Sequence, residues 1–108
     1  MTRAEAEKIY DELVALCPYI ERKGKTMPYT SENGYMFSLL NKAGEIGIHF
    51  SKETQSKYIT EWDSSLFISY NAVMQGYVKV PEAMLQDLEL VARYLKESSD
   101  YVNSLPPK

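Results

Sequence analysis

A helical stripe that cannot be covered from within its own element constrains this chain more than any other feature. From Pro81 to about Asn103 the apolar residues Leu85, Leu88, Val91, Ala92, Leu95 and Val102 recur at three- and four-residue steps. That spacing lines side chains along one face of a helix, and such a face is stable only against a second layer. A strand leads straight into it, Met74-Gln75-Gly76-Tyr77-Val78-Lys79-Val80, with Gly76 marking a bulge or a close backbone approach. Pro81 suits the first helical position because its missing amide hydrogen would be unpaired there, and Ser104-Leu105-Pro106-Pro107-Lys108 stops the helix. With 108 residues in all, the cover has to come from the same single domain, 1-108.

Upstream residues supply it. Thr2 with Glu5 three positions on forms a capping box, opening a first helix whose apolar positions run from Ala6 through Tyr10, Leu13 and Val14 to Leu16 and Cys17, where Pro18 ends it. A short strand is expected over Lys25–Tyr29 and a turn through Ser31-Glu32-Asn33-Gly34. Tyr35–Leu40 reads as a second strand and Asn41–Gly44 as a second turn. Ile46, Ile48 and Phe50 then alternate with Glu45, Gly47 and His49, the period of a strand with one buried face. Ser51 caps a helix over Lys52 to about Trp62, which Asp63-Ser64-Ser65 breaks. Leu66–Tyr70 is a fourth strand, Asn71-Ala72-Val73 a loop, and Met74–Val80 a fifth strand. Strands grouped by short turns favour an antiparallel sheet, so the class is α+β in the order α-β-β-β-α-β-β-α, with the terminal helices packed on the sheet.

Few residues in this chain carry chemistry. A single cysteine, Cys17, excludes an internal disulfide and a cysteine-rich metal site. The one histidine, His49, has no nucleophile tied to it by sequence, and an exposed or half-exposed sheet histidine accounts for it better than a general base does. The glycines form neither a dinucleotide fingerprint nor a phosphate loop. Glu97, Ser98, Ser99 and Asp100 break the last helix's stripe and read as a solvated turn. No apolar run is long enough to span a bilayer, and the first residues lack a secretory pattern, so the expected compartment is cytoplasmic, with no membrane partner.

Two features rise above this background. Arg22-Lys23-Gly24-Lys25, followed by Tyr29, is a basic run before a hairpin, a pattern that binds nucleic acid or merely charges a sheet edge. The net charge of -3 works against the first of these. Nine tyrosines against three phenylalanines suit a contact surface or a half-buried pocket, because tyrosine joins an apolar ring to a wet hydroxyl. The candidate interaction residues are therefore Arg22, Lys23, Lys25, Tyr29, His49, Trp62 and Tyr70, the last three as the lining of a ligand pocket. No catalytic residue, cofactor or metal is assigned.

The strand Met74-Gln75-Gly76-Tyr77-Val78-Lys79-Val80, the ending Ser104-Leu105-Pro106-Pro107-Lys108, Lys25-Thr26-Met27 and Glu45–Phe50 together resemble the N-terminal domain of the TfoX family of competence regulators. Where that family has Phe-Gly-Gly after Lys-x-Met, this chain has Pro28-Tyr29-Thr30. The resemblance implies a secretion-chaperone-like fold with the same element order, and no catalytic residues. The leading expectation is a non-enzymatic regulatory or protein-interaction module, a homodimer with an unknown protein partner. The alternatives are a nucleic-acid-binding protein acting through the basic hairpin, and a small-ligand binding protein.

Overall fold

The computed structural model describes Met1 to Lys108 throughout. Helix α1 spans Arg3–Ala15, and Thr2 and Glu5 close the expected capping box. Strands β1 (Tyr29–Glu32), β2 (Tyr35–Leu40) and β3 (Ile46–His49) follow, then α2 (Lys52–Glu61), β4 (Leu66–Ser69), β5 (Ala72–Lys79), a 3-10 turn over Glu82–Gln86, and α3 (Leu88–Ser104). All strand pairs are antiparallel and the spatial order is β1-β2-β3-β5-β4. The expected α+β architecture and element order hold. No helix is long and apolar enough to cross a membrane.

The helices lie on one face of the sheet. Tyr10, Leu13 and Val14 of α1 meet Phe37, Leu40, Ile46 and Ile48 of the strands and Val91, Leu95 and Val102 of α3 in one continuous core. Tyr10 is fully buried, and its hydroxyl sits 2.7 Å from Ser38 Oγ on β2, which satisfies both groups inside the core. Cys17 is also buried there, and burial pushes its thiol pKa up. Leu16, expected on the inner face, caps α1 and is exposed. The opposite sheet face carries a smaller cluster of Leu39, Phe67 and Tyr77, flanked by Tyr29, Met36 and Met74.

Several boundaries differ from expectation, each for a local reason. The first strand begins at Tyr29 rather than Lys25: Gly24 at φ 83° turns the chain, so that Lys23 and Tyr29 face each other in a single bridge. Ser31 and Glu32 consequently belong to the strand, and the reversal is made by Asn33 (φ 57°) and Gly34 (φ 84°) alone. Tyr70 and Asn71 likewise form a two-residue turn at φ 54° and 60°, so Tyr70 leaves β4 while Ala72 and Val73 join β5.

The last helix starts at Leu88, not at Pro81. Asp87 takes up a non-helical conformation and its carboxylate accepts the Leu90 amide, capping α3 and leaving the preceding residues as the separate 3-10 turn. Ser98 and Ser99 are buried rather than solvated. Ser98 Oγ donates to the carbonyls of His49 and Phe37, and Ser99 Oγ to the Glu32 carboxylate, so this polar break is where α3 clips onto the sheet.

Candidate functional site

From Ser64 to Val78 the chain carries no charged residue, in a protein in which a quarter of the residues are charged. This run forms β4, the Tyr70-Asn71 turn and most of β5. Strand alternation divides its side chains: Phe67 and Ser69 are buried, while Ile68 between them is 53% exposed. Val73, directly across the hairpin from Ile68, is 51% exposed, and Tyr70 on the turn is 73% exposed. One outward face thus presents an aliphatic pair beside an aromatic tip.

The inner side of the hairpin is firmly anchored. Phe67 lies on an edge strand, yet its ring reaches Gly47 on β3, where an added methyl would come within 2.6 Å of it. Gly47 is therefore the seat for Phe67, and the sheet curls so that β4 bends back over the smaller cluster. Asn41, at the end of β2, donates to the Ile68 carbonyl at 2.8 Å and fastens the curl. Tyr77 completes it by donating to the Met36 carbonyl at 2.7 Å, and burial raises its hydroxyl pKa to about 12. An exposed apolar face on a held backbone loses little conformational entropy when a partner covers it.

The residues singled out in the sequence lie elsewhere, Tyr70 excepted. Arg22 is ion-paired with Glu7 at 2.9 Å and with Asp11 at 3.0 Å, and also donates to the Gly24 carbonyl. Lys23 folds onto Ser31, Nζ to Oγ 2.9 Å. Lys25 is exposed and has no ion pair, and Tyr29 packs against the smaller cluster. The basic run is thus a strap along β1, with two of its three charges engaged within the chain.

His49 is half-buried between the rings of Tyr77 (4.9 Å) and Tyr101 (5.7 Å). Gly76, at φ 94°, lets β5 pass so close to the imidazole that a Cβ there would lie 2.4 Å from it. Burial, then the Lys108 charge, lowers the His49 pKa from 6.5. Trp62 stacks on Tyr58 at 4.8 Å beside Tyr94 and Phe50, in the angle between α2 and α3. Tyr58 in turn donates to Glu97 at 2.7 Å. His49, Trp62 and Tyr70 therefore belong to three separate environments and line no common pocket. No three His, Cys, Asp or Glu side chains come together in a way that could hold a metal ion.

The chain matches no protein-family model, no curated protein and no solved structure. The TfoX resemblance rests on its motif residues and element order alone. Ile68 and Val73 were not among the residues singled out in the sequence. Their signal was the long uncharged stretch, which neither motif spacing nor hydrophobic period brings out.

Proposed function

We propose that this protein is a cytoplasmic, non-enzymatic interaction module, regulatory in the manner that the TfoX resemblance suggests, and that its working surface is the outward face of the β4–β5 hairpin. The observation that carries this reading is the coincidence of Ile68, Tyr70 and Val73, all more than half exposed, on the longest stretch of the chain without charge. Apolar and aromatic groups grouped this way mark contact surfaces, where tyrosine is enriched and charge is depleted. Tyr70 adds weight, because a bulky side chain at positive φ is unfavourable in a turn that asparagine or glycine would serve better. The residues available for catalysis fit the same reading: His49 is held by two tyrosine rings and has no hydroxyl or thiol nucleophile as a hydrogen-bond partner.

A photo-crosslinking amino acid placed at position 70 in cells tests the reading. The expected result is a covalent adduct with a protein, formed from position 70 and not from exposed Glu12 on α1. Failure of position 70 to capture any protein contradicts it.

A further inference from the structure

We infer that Asn33 is a modification site, at which hydrolysis of the side-chain amide unfastens the end of α3 and the segment that follows it. Of the four asparagines, Asn33 alone precedes a glycine. Gly34 has no Cβ to keep its backbone nitrogen away from the Asn33 side chain, and it is exposed, so water reaches the bond. In the reaction the Gly34 nitrogen attacks Asn33 Cγ. The new C–N bond closes a cyclic imide, the Cγ–Nδ2 bond breaks, and the amide nitrogen leaves as ammonia, taking the Gly34 amide proton. Water then opens the imide: at Cγ it leaves an aspartate, and at the main-chain carbonyl an isoaspartate, whose backbone runs through Cβ and Cγ. Loss of ammonia to solvent makes the change one-way.

In the fold this amide has a role that a carboxylate cannot fill. Asn33 Nδ2 donates to the Val102 and Leu105 carbonyls, each at 2.9 Å, so a side chain from the β1–β2 turn satisfies carbonyls at the last turn of α3. Around it, the Asn33 carbonyl accepts from the Lys108 amide at 3.3 Å, the Tyr35 hydroxyl donates to the Pro106 carbonyl at 2.7 Å, and Lys108 Nζ lies 5.0 Å over the Tyr35 ring. A carboxylate accepts hydrogen bonds and donates none. At position 33 it meets two carbonyl oxygens at the negative end of the α3 dipole, beside the Glu32 carboxylate that Ser99 and Asn103 already engage. The isoaspartate also lengthens a two-residue reversal built on φ 57° and 84°. Both products therefore release Leu105–Lys108 from the turn. The two bonds that hold Nδ2 against α3 also hold it away from the Gly34 nitrogen, so the reaction proceeds when this clasp opens locally.

Peptide mass spectrometry on the whole chain, held folded at mildly alkaline pH for days and then digested, tests the site. Asn33 is expected to convert while Asn71, at φ 60° in the other two-residue turn but followed by Ala72, does not. Conversion is expected to be about threefold faster in Tyr35→Phe, which loses the bond to Pro106, and faster still in urea. Hydrogen exchange tests the release. Asn33→Asp supplies one of the products, and Asn33→Gly, which suits the positive φ, removes the donors without adding charge. Exchange of the Leu105 and Lys108 amides is expected to rise about tenfold in Asn33→Gly and further in Asn33→Asp, with Ile48 in β3 unchanged. Asn33 that stays an amide in the folded protein while it converts in urea overturns the inference. So does an equal rate in the wild-type chain and Tyr35→Phe, or wild-type protection of Leu105 and Lys108 in the folded position-33 variants.

Discussion

Tyr70 occupies a backbone conformation that costs a non-glycine residue about 1 kcal/mol, and no hydrogen bond of its hydroxyl offsets the cost. Tyr70→Asn is expected to raise unfolding stability by about 0.5–1 kcal/mol in denaturant titrations. An unchanged or lowered midpoint would show that the ring stabilises the isolated molecule and is not there for contact. His49 gives a second test at this scale. Its pKa is held below 6.5 by burial, then by Lys108, and its Nδ1 is buried without a partner, so the fold prefers the neutral ring. The unfolded chain binds that proton more readily, so this contribution is complete above pH 6.5 and is lost as pH falls through the lowered folded value. Because His49 is the only histidine, His49→Gln is expected to flatten stability between pH 7 and 5; an identical slope in the variant would contradict this.

At the scale of elements, α3 is joined to the sheet by a few polar contacts set within an apolar stripe. Ser98 reaches two strand carbonyls from a fully buried position, so Ser98→Ala is expected to cost about 1–2 kcal/mol, measurable by chemical denaturation. A neutral effect would mean that the stripe of Val91, Leu95 and Val102 docks the helix unaided. The same serines show where sequence reading stops. The stripe, the α1 capping box, the Ser51 cap and the Asn33-Gly34 reversal were legible because each is a local pattern with a local cause. Ser98 and Ser99 were not, because their partners Phe37, His49 and Glu32 are brought to them only by the fold. Tyr70 resembles a strand residue by type, and only the pairing of Ser69 with Ala72 places it in the turn. Asp87 competed with Pro81 as a helix start, and its side-chain cap prevailed.

For the molecule as a whole, three helices cover one sheet face while the curled β4–β5 hairpin covers part of the other and presents Ile68, Tyr70 and Val73 outward. The ending Leu105–Lys108 is tied down separately: Asn33 donates to the Val102 and Leu105 carbonyls at 2.9 Å, and Tyr35 to that of Pro106 at 2.7 Å. That ending and two of the three charges of the basic strap are engaged within the chain, whereas the uncharged hairpin keeps three large apolar side chains turned to solvent. Hydroxyl-radical labelling, compared between cells and dilute purified protein, tests this most directly, because Tyr19 is 52% exposed away from the hairpin and serves as an internal control. Strong protection of Tyr70 in cells, with Tyr19 labelled equally in both settings, is the predicted result. Equal labelling of Tyr70 in the two settings would contradict the account.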